Sequence, residues 1–266
     1  MLQRMTAGNG VVVYQSDLLA HVPHGFSTRI GGVSAGPFAA MNLGNPNGCP
    51  QQDDLANIAE NYRRLQGAIG CEGRSRAQVH QVHGCDVRQA RASEAFDIHA
   101  KADAIISDDP QQLLSVRTAD CVPVLLASID GRFVAAVHAG WRGVVAGAVT
   151  TAARAMMQTY ALDSPASLVA AIGPSIGFDA FEVGSEVLAE FHRVFGDHAQ
   201  MREVPGGKGF VDLRRAISIE LQRLGVPANQ IDTTDRCTFT HANEFFSHRR
   251  ENGVTGRMAS VIGALG

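Results

Sequence analysis

Two apolar runs placed back to back constrain this chain more than any other feature. S-V-R-T-A-D-C-V-P-V-L-L leads into F-V-A-A-V-H-A-G-W-R-G, with Asp130-Gly131 between them as a two-residue turn. Each run has the length and side-chain content of a buried strand, so the pair reads as neighbours in one sheet. Pro123 has no backbone N–H to give a ladder, which places it at an edge or a strand start and sets Cys121 at a strand end. His138 closes the second strand and enters A-G-W-R-G, a strand-to-helix turn whose free N–H groups can receive an anion. A thiol and an imidazole brought together this way are half of a metal site or a nucleophile with its base. Either reading makes the chain a candidate enzyme.

Composition narrows the class without choosing. A hydrophobic share of 45% with 18% charged residues, over 266 residues, describes an ordinary globular core. A net charge of −3 offers no basic footprint, so no nucleic-acid partner is expected. The five cysteines are odd in number and free of C-x-x-C, which fits a reducing cytoplasm better than a disulfide framework. The first residues have no apolar h-region, and no apolar run approaches the ~20 residues of a membrane helix, so no membrane association is expected.

The spacing of Leu55, Ile58, Tyr62, Leu65 and Ile69 predicts a helix over 55–69, capped by Asp53 or Asp54. Further helices are expected over 144–160, 185–195 and 213–224. A-Q-V-H-Q-V-H, A-D-A-I-I-S, Q-L-L-S-V and S-L-V-A-A-I-G-P read as strands. The two element types mix without strict βαβ alternation, internal repeat or linker, which argues for one mixed α/β domain over residues 1–266.

Other candidates gather around Cys121 and His138. In a regular strand His80 and His83 of H-Q-V-H would face opposite sides, so one is functional and one structural. His83, before Gly84 at the strand end, is the better placed; Cys85 beside it is a weak signal. His83, Cys121 and His138 together would supply three zinc ligands and leave one position open, the catalytic pattern, in which bound water ionises near pH ~7. Cys121 and His138 alone would supply nucleophile and base. Asp103, Asp120 and Asp212 are candidates for orienting a ligand histidine, against the commoner roles of cap and turn. Arg29, Arg142 and Arg249 are candidate anion binders, and Trp141 a surface for a flat base.

These motifs resemble one family, the YfiH-like laccase-domain proteins, first described as multicopper polyphenol oxidases and later as purine nucleoside phosphorylases. S-T-R-I-G-G-V-S, M-N-L-G, Q-V-H-G, T-A-D-C-V-P-V, V-H-A-G-W-R-G, I-G-P-S-I-G-F-D-A-F-E-V-G, D-R-C-T and F-F-S-H-R-R carry the resemblance in order from Ser27 to Arg250. It implies Zn2+ on His83, Cys121 and His138, which selects His83 from H-Q-V-H. It also implies a four-layer α/β/β/α sandwich, similar to certain bacterial toxin cysteine deamidases. The implied reaction is phosphorolysis of adenosine, inosine, guanosine and methylthioadenosine, with adenosine deamination as a second activity. Purine nucleoside and phosphate are then the partners, and Asn42 of M-N-L-G joins Arg29, Arg142 and Arg249 as candidates for binding them. His248 stands where many relatives carry Tyr, and Cys85 where a charged residue is common. Two alternatives stay open. One is a Cys121/His138 amidohydrolase acting on peptidoglycan precursors. The other is a copper polyphenol oxidase, against which none of the ten histidines forms an H-x-H pair.

Overall fold

A computed structural model describes residues 1–46, 48–91, 97 and 99–266. Within them lie two six-stranded sheets and one small three-stranded sheet. The first sheet runs in the order β1 (Gln3–Thr6), β2 (Val12–Gln15), β3 (His24–Ser27), β15 (Met258–Ile262), β7 (Gln112–Thr118), β4 (Ser75–Gln78). The second runs β14 (Ile231–Asp232), β10 (Leu168–Ile172), β8 (Val122–Ser128), β9 (Val134–Ala139), β6 (Ala104–Ser107), β5 (Val87–Gln89). β11 (Glu182–Val183), β13 (Lys208–Val211) and β12 (Met201–Val204) form the third.

The two apolar runs are continuous because both faces of their strands are covered. In β8, Leu125 and Ala127 pack toward the first sheet, while Val122, Val124 and Leu126 pack against helices. Those helices are α2 (Trp141–Val145), α3 (Ala148–Thr159), α4 (Ser185–Phe195) and α5 (Leu213–Leu224), and they share one apolar cluster with the outer face of the second sheet. α1 (Leu55–Ala68) lies against the first sheet, where Tyr62 and Leu65 meet Val13, Leu113 and Val261. A strand buried on both faces gives no alternation in sequence, only a run.

α1, α4 and α5 occupy the expected spans, α1 stopping one residue earlier at Ala68. Asp54 is the α1 cap, accepting a 2.8 Å bond from Ala56 N, while Asp53 turns inward to Ser34 and Asn42. Three expectations need correction. The single helix over 144–160 is two, because Gly147 at φ 75° takes a left-handed conformation that ends the α2 segment and begins α3. The turn at Asp130-Gly131 lies in a longer connection, since β8 ends at Ser128 and β9 begins at Val134. H-Q-V-H is not strand: β4 ends at Gln78, His80 forms an isolated bridge with Lys101, and His83 has φ 63°. Among the described residues no helix is long and apolar enough to cross a membrane.

Glu220 of α5 is buried, and its Oε2 has no hydrogen-bond partner. Burial pushes its carboxyl from 4.5 up to about 8. A folded-state pKa above the unfolded one means the folded protein binds the extra proton, so stability falls as pH rises from about 4.5 to about 8. Glu220→Leu is expected to remove that dependence. Thermal melts should show it gaining at least ~3 °C more at pH 8.5 than at pH 5, roughly 1 kcal/mol for a chain of this size; equal gains at both would refute the assignment.

Candidate metal centre and its cavity

The hairpin register brings the first two donors together. Pro123, second in β8, lies opposite His138 of β9, and Cys121 enters the same strand just before it. This is the strand start that Pro123 signalled. Alternation along β9 puts His138 on the face of Val134 and Ala136, turned toward the first sheet. His83 arrives from the loop after β4, its ring 5.0 Å from that of His138 and edge-on at 77°. Ligand atoms of His83, Cys121 and His138 all lie within 4.8 Å of one another.

Asp103, fully buried just before β6, sets two of the three donors. Its Oδ1 accepts from His138 Nδ1 at 2.7 Å and from the backbone N–H of His83 at 2.9 Å. Its Oδ2 accepts from Gly84 N at 2.6 Å and Val82 N at 3.3 Å. With Nδ1 committed to Asp103, His138 presents Nε2 to the centre. Gly140 closes the group sterically. Its φ of −71° suits any residue, yet a Cβ there would stand 2.8 Å from His83 Cδ2 and 3.1 Å from Cys121 Sγ. The glycine of H-A-G-W is therefore required for space rather than for conformation.

Asp120 and His83 both hold positive φ, 93° and 63°. Non-glycine residues in that region carry roughly 1–3 kcal/mol of strain each and gather at functional sites. The surroundings hold Asp120 there: its carboxylate accepts from Thr238 Oγ1 at 2.6 Å, Arg249 N at 2.7 Å and Ser247 Oγ at 3.1 Å. Asp120 thus ties the D-R-C-T and F-F-S-H-R-R segments to the Cys121 turn and does not orient a histidine. Asp212 is the α5 cap, accepting from Arg215 N. Of the three carboxylates considered, Asp103 alone orients a donor of the group.

Without a metal, charge favours a thiolate on Cys121 and a proton on His138, which a bound ion would displace. Burial alone would raise the Cys121 thiol, but the charge and hydrogen bond of His138, then those of His83, outweigh it and bring it down to about 6. Burial likewise opposes the His138 imidazolium, but Cys121 and Asp103 lift it to about 9. Asp103 would itself be raised by burial; the His138 bond and charge, with the N–H groups of Gly84 and His83, hold it below the usual carboxylate range.

The group opens into a cavity of about 370 Å³. Trp141, Arg142 and Arg249 line it. Arg142 lies over the Trp141 ring at 4.3 Å, and Arg249 over Phe181, another wall residue, at 5.4 Å. Arg29 and Asn42 do not line it. Arg29 is spent on Ala39 O, Ala242 O, Glu251 and the Phe246 ring. Asn42 is fully buried, bonded to Asp53 and to the backbone of Gly44 and Arg257. Cys85 packs against the helix-side core and is outside the donor group.

Sequence reasoning missed Gln81, Arg117 and Arg257, all cavity residues. Arg117 stood inside S-V-R-T-A-D-C and Gln81 inside Q-V-H-G, but a lone arginine or glutamine at a strand end carries no local signal of what it faces. His248 lines the cavity as well, its imidazole held below its ordinary pKa by burial and then by Arg257.

A mixed α/β fold whose sheet ends hold two imidazoles and a thiol over a cationic cavity defines a candidate metal-site enzyme. The chain belongs to the family described as multi-copper polyphenol oxidoreductase laccase, whose model matches residues 23–265. It is 38% identical over 243 residues to a Deinococcus radiodurans protein named purine nucleoside phosphorylase, covering 91% of this chain and 89% of that one. It is 39% identical over 236 residues to the Escherichia coli K12 purine nucleoside phosphorylase YfiH, covering 89% and 91%. The crystal structure of YlmD from Geobacillus stearothermophilus superposes with a TM-score of 0.88 at 29% identity, over 99% of each chain.

Gly140→Ala should force His83 and Cys121 apart. Competition with a chromogenic chelator is expected to show affinity for added Zn2+ reduced at least ~10-fold, with the melting temperature of the metal-free protein nearly unchanged. Unchanged affinity would mean the three side chains are not a metal site.

Proposed function

We propose that the chain is a zinc-dependent purine nucleoside phosphorylase, acting as one catalytic domain over residues 1–266. It would split adenosine, inosine, guanosine or methylthioadenosine with phosphate into free base and sugar 1-phosphate. The observation carrying this reading is an open three-donor group set in the wall of a cavity lined by four arginines, Arg117, Arg142, Arg249 and Arg257. The three apolar clusters, one on the outer face of each six-stranded sheet and one between the two sheets, support the four-layer α/β/β/α arrangement like that of toxin cysteine deamidases. The five free cysteines accord with a cytoplasmic location.

One thiolate and two imidazoles suit a borderline-soft divalent ion, and Asp103 is the carboxylate such sites place behind a histidine. The same donors serve blue-copper centres, which add a weak axial ligand, most often Met and otherwise Gln or a backbone oxygen. No methionine is among the described residues lining the cavity, and Gln81 has both ends of its amide committed to the Arg117 backbone. The side chains that commonly complete a blue-copper centre are thus not at hand, and this reading takes zinc over the copper of the family's description. When bound, the ion would supply Lewis acidity to an oxygen drawn into its open position.

The chain's own residues supply the rest. Trp141 and Phe181 offer flat apolar walls to a purine, and the arginines offer fixed positive charge to a phosphate dianion. Holding phosphate and nucleoside together in one small cavity removes the entropic cost of their encounter. Adenosine deamination, water adding at C6 and ammonia leaving, is the second activity of this reading. An alternative is favoured by one observation: Asp103, His138 and Cys121 are also in the order of an orienting acid, base and nucleophile. On that reading the protein is an amidohydrolase acting on peptidoglycan precursors.

Measuring bound metal and then the purine released from adenosine, with and without phosphate, separates these. About one zinc per chain and phosphate-dependent adenine release, abolished by chelation and restored by Zn2+, is the expected result. Cys121→Ser should lower kcat/KM by at least ~100-fold. No purine turnover with or without zinc would sink the phosphorylase reading, and activity surviving chelation but lost on alkylation of Cys121 would favour the amidohydrolase.

A further inference from the structure

We infer that Arg117 and Arg257 form a two-pronged phosphate clamp in the cavity, and that the M-N-L-G segment exists to hold it. The inference rests on the phosphorylase reading for its physiological meaning, but on geometry alone for the binding of phosphate.

Arg117 is the penultimate residue of β7, and Arg257 immediately precedes β15. These strands pair antiparallel with Ala259 opposite Arg117 and Met258 opposite Thr118, so both arginines leave the first sheet at the same end. Both line the cavity, on the sheet facing the hairpin that carries Cys121 and His138. Protein balances these charges only in part: burial weighs most against the Arg257 guanidinium, Cys121 and Asp120 favour it without an ion pair to it, and Arg117 opposes it. Among the described residues neither makes an ion pair; Arg257 gives its Nη1 to the carbonyls of Thr255 and Gly256, each at 3.1 Å, and the Arg117 guanidinium makes no hydrogen bond. Arg29, by contrast, has Glu251 beside it. Two half-buried guanidinium groups with no carboxylate ion pair among the described residues repel each other, and an anion seated between them relieves that repulsion. Paired planar forks match a tetrahedral oxyanion better than a point charge would.

The surrounding backbone is built around the two side chains. Asn42 Oδ1 accepts from Arg257 N at 2.9 Å, and Leu43 N donates to Arg257 O at 2.9 Å, so one short segment grips Arg257 from both sides. Gly44 makes room for Arg117, since a Cβ there would stand 2.7 Å from Arg117 Cδ. Gln81 extends the pairing of β4 onto Arg117: its Oε1 accepts from Arg117 N at 2.8 Å and its Nε2 donates to Arg117 O at 2.7 Å. Asn42, Gly44 and Gln81 are thus positioning residues, and Asn42 acts behind the cavity rather than on a ligand.

The test is calorimetric titration of inorganic phosphate into the zinc-loaded full chain, with AMP as a second titrant to separate free phosphate from a nucleotide's phosphate. Arg117→Gln and Arg257→Gln are each expected to weaken inorganic phosphate by at least ~10-fold, with zinc content unchanged. Arg117→Lys and Arg257→Lys, which keep the charge and lose the fork, should fall between. In turnover assays the same variants should raise the phosphate KM while leaving the nucleoside KM within about twofold, and Asn42→Ala should show that same split. The clamp is overturned if wild-type protein does not bind inorganic phosphate, if both Gln variants bind it as tightly as wild type, or if they lose AMP alone. Because binding is read without turnover, an absence of phosphorolysis in a protein whose phosphate affinity depends on these arginines would refute the phosphorylase reading and leave the clamp standing.

Discussion

The Asp103 carboxylate is the group on which the rest of the site depends. Burying an unpaired carboxylate costs several kcal/mol, so a fully buried one must be saturated with donors. Here the donors are the imidazole of one ligand candidate and the backbone N–H groups of Val82, His83 and Gly84, which carry the other. The same requirement that satisfies Asp103 therefore fixes the ring of His138 and the left-handed turn at His83. His138 N also donates to Asp103 O at 2.8 Å, so β6, β9 and the His83 loop are locked through one residue. Loss of that carboxylate would free two of the three donors at once.

Cys121 is secured differently, from the far end of the chain. Asp120 holds a strained conformation only because Thr238, Ser247 and Arg249 converge on its side chain. The segments that bring His248 and Arg249 to the cavity are the same ones that hold the turn before Cys121. Opposite them, Gly140 lets the start of α2 approach within contact of the donors. Strain at the centre is thus sustained by hydrogen bonds at its edges, and the two sheets meet around a cavity whose charged residues come from four separated stretches of sequence.

Much of this is legible in the sequence alone. Strands buried on two faces leave continuous apolar runs, so the Cys121–His138 hairpin could be read directly, and Pro123 marked where it begins. Helical spacing fixed α1, α4 and α5, whose polar faces meet solvent. The break at Gly147 was hidden because apolar residues continue through it, and the break depends on one left-handed residue. Strand logic favours His83 of H-Q-V-H and the family resemblance selects it; the strand logic does not apply, since the segment is a loop pinned by Asp103. The cationic wall was the least legible part. Arg29 and Arg117 look alike in sequence; what separates them is Glu251 beside one and, among the described residues, no ion pair to the other, which only the three-dimensional arrangement decides. Asn42 was read as a ligand contact when its work is to hold Arg257.

The family's description speaks of copper, while the relatives named here are called purine nucleoside phosphorylases. The donor set is where the two descriptions can be told apart, because one thiolate and two imidazoles would leave an open position on a zinc ion. X-ray absorption at the zinc edge of the purified protein tests it most directly. The expected shell is one sulfur at ~2.3 Å, two imidazole nitrogens at ~2.0–2.1 Å and one light exogenous ligand. A metal shell without sulfur, or one closed by four protein ligands, would contradict it.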